Sequence, residues 1–209
     1  MKEADTEERM SKKGLFIVLE GIDGSGKTTL ARALQSRLAS ELGWDVVLTA
    51  EPTDGPVGSL LRGEKIDSPR AEALLFIADR ACHTDSIREM TEKGTTVISD
   101  RYYASTLAYQ SASLSGPVMD YDLLVKMNEA VITQPDITIL LDLDPETCGD
   151  RIDRRGEQKS KFERLEYQKR VRENYLRIAK ERGFSILDAS KSPEDLCSEA
   201  FKLISEKRR

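Results

Sequence analysis

The chain has 209 residues, 39% of them hydrophobic and 33% charged, which suits one globular domain able to bury a core. Its 37 acidic residues outnumber 32 basic ones, and the net charge of −5 argues against a nucleic-acid-binding surface. Three scattered cysteines (Cys82, Cys148, Cys197), a lone histidine (His83) and the lack of a membrane-length apolar run speak against a disulfide framework, a zinc cluster or a membrane span.

Residues 1–13 are charged and have no signal-peptide core, so they read as a flexible tail before a single domain over residues 14–209. The cysteines read as free thiols in a reducing compartment, which places the protein in the cytoplasm. The first strand-like run, Leu15–Glu20, leads into Gly21-Ile22-Asp23-Gly24-Ser25-Gly26-Lys27-Thr28, and a helical pattern over Thr28–Leu42 follows. This is G-x-x-x-x-G-K-[ST] in the strand-then-helix setting the motif requires. Its glycines let backbone N–H groups curl around a polyphosphate while the helix start faces the anion. Lys27 can reach β- and γ-phosphates, and the Thr28 hydroxyl can bind Mg²⁺. The plainer alternative is a glycine turn that opens a helix and holds nothing.

Four further strand-like runs follow: Asp45–Ala50, Thr95–Asp100, Asp136–Asp142 and Phe184–Asp188. All are short and almost continuously apolar, as parallel strands covered on both faces are. Helical patterns lie between and after them, over Pro69–Lys93, Val118–Ile132, Pro145–Arg155, Lys161–Arg182 and Pro193–Lys207. The alternation predicts an α/β fold with a parallel sheet, right-handed crossovers and helices on both faces. Ligands then sit at the carboxyl ends of the strands, where Glu20, Glu51, Asp100, Asp142 and Asp188 fall. No internal repeat, linker or low-complexity block interrupts the pattern.

An acidic chain that binds nucleotide must gather its positive charge locally. Asp100 ends the third strand and can position Mg²⁺ or its waters, and Arg101 beside it can clamp a phosphate; the alternative is a strand-end ion pair. The following Tyr102-Tyr103-Ala104-Ser105-Thr106-Leu107-Ala108-Tyr109-Gln110 has the mix of rings, hydroxyls and amide that suits a base and a sugar. Phe76 and Arg80 lie four apart on one helix face, where they can stack on and hydrogen-bond a base, although Phe76 alone reads first as core. Arg151, Arg154 and Arg155 form a basic cluster next to a polar, glycine-containing stretch. They read either as a mobile lid over the phosphates, at about residues 152–161, or as a solvated helix face.

Four ordered motifs, F-I-V-L-E-G-I-D-G-S-G-K-T-T, L-L-F-I-A-D-R, D-R-Y-Y-A-S-T-L-A-Y-Q and R-I-D-R-R-G-E, resemble those of the thymidylate kinase family from about Gly14 to the C-terminus. The resemblance implies a P-loop NTPase fold with strand order 2-3-1-4-5 and a short lid. It further implies a homodimer and a Mg²⁺-dependent transfer of the ATP γ-phosphoryl group to dTMP. ATP would lie along Gly21, Ile22, Asp23, Gly24, Ser25, Gly26, Lys27, Thr28 and Thr29, with Arg151 near it and Ala189 beside the adenine. Asp23 would contact the deoxyribose 3′-hydroxyl. Phe76 would stack on thymine, Arg80 would donate to its O4, and Arg101 would hold the dTMP phosphate. Ser105, Thr106 and Gln110 would line the base region, Tyr109 would pack under the sugar, and Pro52 would touch the nucleotide. Lys27, Arg101, Arg154 and Arg155 would carry catalysis, and Thr28 and Asp100 the metal. Some family members place an Arg or Lys where this chain has Gly24, so Gly24 with Arg154 and Arg155 resembles the type that supplies arginine from the lid. Ala50-Glu51-Pro52 lacks the arginine many relatives have there, and Thr53-Asp54-Gly55 replaces a commoner glycine pair. The rival readings are another P-loop nucleotide or deoxynucleoside kinase, or a switch NTPase. The switch would be expected to carry D-x-x-G and N-K-x-D, where this chain has D-R-Y-Y and no N-K-x-D.

Overall fold

A computed structural model of the protein describes residues 13–63, 65–112, 118–153 and 161–207. Five strands form one parallel sheet in the order β2-β3-β1-β4-β5: β1 (Phe16–Glu20), β2 (Val46–Ala50), β3 (Thr96–Asp100), β4 (Ile137–Asp142) and β5 (Ser185–Asp188). Every residue of the central β1 is buried. Its continuous apolar run therefore has helices to face on both sides, as the sequence predicts. Each strand begins one residue later than the apolar pattern suggests, within the usual spread of element ends. At the entry to β1 the reason is local. The Asp136 carboxylate accepts the Phe16 N–H at 2.7 Å while the Asp136 N–H donates to Phe16 O at 2.8 Å.

Eight helices surround the sheet among the described residues: α1 (Lys27–Leu42), α2 (Pro56–Gly63), α3 (Pro69–Glu92), α4 (Tyr103–Gln110), α5 (Tyr121–Glu129), α6 (Pro145–Asp153), α7 (Lys161–Arg182) and α8 (Pro193–Lys207). One group, α1 and α8, packs together against the sheet, and α3, α4 and α7 form a second group. At the start of α3, Pro69 follows Ser68, whose hydroxyl accepts the Ala71 N–H at 3.3 Å. Such a cap contributes about 1 kcal/mol. The helical pattern from Val118 shortens to Tyr121–Glu129 because the Asp120 side chain accepts the Leu123 N–H at 2.9 Å and sets the first turn. The described part of α6 ends at Asp153, so the last two residues predicted for that helix lie outside the described residues.

Two helices, α2 and α4, lie outside the helical patterns read from the sequence. In α2 the glycines at 58 and 63 lower helix propensity. Gly58 is required all the same, because a Cβ there would sit 2.0 Å from the Thr53 carbonyl oxygen. The other, α4, is rich in aromatic and hydroxyl side chains and buries Tyr103, Ala104, Leu107 and Ala108. Tertiary burial, at roughly 1.5–3 kcal/mol for a large apolar side chain, overrides its modest propensity. This helix puts one face into the core and the other toward the carboxyl ends of β1 and β3.

Candidate active site

The turn between β1 and α1 wraps around its own lysine. Lys27 is only 6% exposed, and its ammonium donates to the carbonyls of Gly21 and Ile22 at 3.0 Å each. An ammonium has three donors, so one is left for an incoming anion. Burial, reinforced by the nearby Arg101 charge, lowers the Lys27 pKa to about 8. Ser25 is buried and its hydroxyl has no hydrogen-bond partner. Thr28 and Thr29 are exposed at the start of α1, and the Thr28 hydroxyl donates to Asp100 Oδ2 at 2.6 Å. Ile22 is core. Near the far end of the sheet, Ala189 is buried and its N–H donates to Asp142 O at 2.9 Å.

Gly24 has φ +84, and a Cβ there would lie 2.8 Å from the Cys148 carbonyl oxygen and 3.2 Å from its Cα. The first turns of α6 thus close over this point of the loop. Any side chain at position 24, an arginine included, would have to displace helix backbone. From the same helix Arg151 is exposed and donates to Gly24 O at 3.3 Å. Arg154 and Arg155 lie outside the described residues.

Arg101 is the one non-glycine residue with positive φ, +77, among the described residues. Such a backbone costs on the order of 1–3 kcal/mol and persists only where its surroundings enforce it. Here its N–H donates to Leu19 O at 2.9 Å, and its guanidinium is held on all sides. Nη1 reaches Gly21 O (3.3 Å), Ser105 Oγ (3.0 Å) and Tyr175 OH (3.3 Å). Nη2 reaches Asp23 Oδ1 (2.5 Å) and Tyr109 OH (3.2 Å). Partial burial raises the Asp23 pKa, but the Arg101 and Lys27 charges outweigh it and hold the carboxyl below its ordinary value. Burial pushes the Tyr109 phenol up to about 12, so it stays protonated and donates to Asp23 Oδ2 at 3.3 Å.

Beneath Arg101 lies Glu20, fully buried at the end of β1. Its carboxylate accepts from the backbone N–H groups of Tyr102 and Ser105 (3.0 and 3.2 Å), from Ser105 Oγ (2.6 Å) and from Tyr175 OH (3.1 Å). Burial raises its pKa above the ordinary value against the pull of these donors and of Arg101.

One cavity of about 270 Å³ opens beside Arg101. It brings together all the residues expected to bind the acceptor: Asp23, Pro52, Phe76, Arg80 and Arg101, and from α4 Ser105, Thr106, Tyr109 and Gln110. Half-buried Phe76 presents a ring on its wall, while Arg80 is 1% exposed. The loop after β2, which lacks the expected arginine at Ala50, is held by other means. Arg62 of α2 donates to Pro52 O (2.7 Å) and Asp54 Oδ1 (2.9 Å). Asp79 accepts from both the N–H and the hydroxyl of Thr53 (2.7 and 2.6 Å).

Of the residues expected for the donor nucleotide, those from Gly21 to Thr29 form the loop and the start of α1, with Asp23 also lining the cavity; Arg151 reaches that loop from α6, and Ala189 is set apart at the β5 end. Sequence reasoning overlooked Glu20 as an organiser of the site and missed Tyr167 and Tyr175 altogether. Tyr167 lines the cavity and donates to Tyr109 O at 3.1 Å. A signal existed. Tyr167, Val171 and Tyr175 recur at intervals of four along α7, an inward stripe on an otherwise charged helix.

A family model described as thymidylate kinase matches residues 19–200. A probable thymidylate kinase of Thermococcus kodakarensis is 46% identical over 180 residues, spanning 79% of this chain and 84% of its own length. One of Pyrobaculum aerophilum is 40% identical over 195 residues, spanning 90% and 95%. The thymidylate kinase of Halothermothrix orenii is 38% identical over 209 residues, again spanning 90% and 95%.

Two expectations follow from this geometry. Gly24→Ala should lower stability by about 1–3 kcal/mol, read as a fall in the thermal midpoint; an unchanged midpoint would show that α6 yields at no cost. Inorganic triphosphate should favour the charged form of Lys27 and raise its pKa from about 8. Calorimetry at about pH 8.5 in two buffers of different ionisation heat should therefore show more net proton uptake on binding in wild type than in Lys27→Met, which reports the triphosphate's own deprotonation, and the difference should shrink near pH 6.5.

Proposed function

The chain belongs to the thymidylate kinase family, and on that premise we propose that it transfers the γ-phosphoryl group of ATP to the 5′-phosphate of dTMP, yielding dTDP and ADP. The observation that carries the reading is the cavity that runs from Phe76 and Arg80, where a planar base fits, to Arg101 beside the phosphate loop. A nucleotide lying along it has its base at α3, its sugar over Tyr109 and Asp23, and its phosphate at Arg101.

The acceptor is a phosphate oxygen, already anionic, so the site needs no strong general base. Its work is positioning and charge stabilisation. Lys27 and Arg101 flank the path between donor and acceptor. Arg101 serves as an in-line clamp because Ser105, Tyr175 and the Gly21 carbonyl fix its guanidinium. Arg154 and Arg155 supply further charge from the lid. Two features support that assignment: Arg151, three and four residues before them in the chain, reaches the phosphate loop, and the closed backbone at Gly24 leaves no room for an arginine within the loop. The paired Thr28 hydroxyl and Asp100 carboxylate suit Mg²⁺, which takes few protein oxygens and keeps phosphate and water ligands. When bound, it neutralises charge on the phosphates. Pairing of two copies would cover the exposed Leu60 and Leu74 on α2 and α3. The free thiols of Cys82, Cys148 and Cys197 favour a cytoplasmic setting, and among the described residues no helix is long and apolar enough to cross a membrane.

ADP release with ATP and Mg²⁺ should depend on dTMP, with dUMP weaker and ribonucleotides near background. Release without any acceptor would point instead to an NTPase. Lys27→Ala should lower kcat by on the order of 100-fold or more with the fold retained, and unchanged kcat at saturating ATP would remove Lys27 from its role. Arg80→Ala should raise KM for dTMP more than KM for ATP, and equal changes would take Arg80 out of the base pocket.

A further inference from the structure

A buried chain of polar groups stands behind Arg80. The guanidinium donates from Nε and Nη2 to one oxygen of Glu51, Oε2 (2.9 and 2.6 Å), from Nη2 also to Thr106 Oγ1 (3.0 Å), and from Nη1 to Asn128 Oδ1 (2.5 Å). Arginine has five N–H donors. Four are thus committed to protein among the described residues, and one Nη1 hydrogen remains for the cavity that Arg80 lines. The second Glu51 oxygen, Oε1, lies 3.0 Å from His83 Nδ1, and His83 Nε2 lies 2.8 Å from Thr49 Oγ1. The carboxylate is an acceptor, so Nδ1 carries the hydrogen; in the neutral ring Nε2 then accepts from the Thr49 hydroxyl. Glu51, Arg80 and His83 are all buried.

We propose that His83, anchored by Thr49, is a positioning residue for base selection: by holding Glu51 Oε1 it fixes the carboxylate angle that aims the one spare N–H of Arg80 at a carbonyl of the base. This rests on the reading of Arg80 as the base-contacting residue. The physical reason is the one-oxygen grip. A carboxylate and a guanidinium left to themselves meet fork to fork, with both oxygens engaged. His83 withholds Oε1 from that arrangement. Without it Glu51 turns to offer both oxygens, and the guanidinium turns with it. A carbonyl at position 4 of a pyrimidine, as in thymine, then loses a well-aimed donor. An amino group there, as in cytosine, loses the like-polarity clash that excluded it. His83 itself does not line the cavity.

The test measures kcat and KM for dTMP, dCMP and ATP, with thermal midpoints, in wild type, Arg80→Ala, His83→Leu, His83→Gln and Thr49→Val. His83→Leu should raise KM for dTMP on the order of tenfold and lower the preference for dTMP over dCMP in kcat/KM by a similar factor, with KM for ATP within about twofold. His83→Gln, whose amide N–H can still reach Glu51, should stay within about threefold of wild type. Thr49→Val should shift the preference in the same direction as His83→Leu, by less. A folded His83→Leu that keeps the full preference overturns the proposal, since a purely structural role would move only the midpoint. If His83→Leu does not fold, Thr49→Val decides, and an unchanged preference there overturns it. Should Arg80→Ala leave both KM for dTMP and the preference intact, the base-pocket reading fails instead, which separates the two.

Discussion

The site depends on a carboxylate with no exposure to solvent. Glu20 ends the central strand, and its two oxygens gather the first N–H groups of the turn into α4, the Ser105 hydroxyl and the phenol of Tyr175 from α7. An unpaired charge in that position would cost several kcal/mol. The donors around it remove that cost only if β1, α4 and α7 stand where they do. Arg101 rides on the same turn, and its positive φ is held by the Leu19 carbonyl on one side and these side chains on the other. Strand, helix placement and clamp geometry are thus one constraint, set by electrostatics in a low-dielectric interior.

A second constraint governs the other end of the cavity. Arg80 is buried with Glu51, and the two charges partner each other. The two arginines are treated alike in physical terms: each is over-determined by acceptors and presents what remains to the cavity. Flexible arginines would lose rotamer freedom on binding, and these two have lost it on folding. Lys27, folded back on its own loop carbonyls, follows the same rule.

Much of this could be read from the chain. The five strands and the phosphate loop follow from apolar runs and one motif, because those features are local. The pairings that make the site precise are not. Glu51 and Arg80 are 29 residues apart, Arg80 and Asn128 are 48 apart, and Glu20 and Tyr175 are 155 apart. No window of sequence contains either end of such a pair with the other. Helices α2 and α4 escaped for a related reason, since burial and close backbone approach stabilise them where propensity does not. His83 illustrates the limit best: a lone histidine beside a single cysteine, Cys82, makes no metal-ligand spacing, and only the fold shows it bonded to Thr49 and Glu51. The α7 tyrosines were legible as a period-four stripe, hidden by the charges around them.

The ion pair between Asp23 and Arg101 has an implication for what the cavity accepts. Arg101 meets a carboxylate at 2.5 Å, so the clamp is already closed on an internal anion. A lone inorganic phosphate would have to evict Asp23 and would leave that carboxylate beside a second negative charge with nothing offered in return. On the proposed reading, a nucleotide would bring both halves of an exchange, a phosphate for the arginine and a sugar hydroxyl for the aspartate. On that reading, Asp23 would act as an internal competitor for Arg101, one that a lone phosphate would displace poorly and a whole nucleotide in a single move.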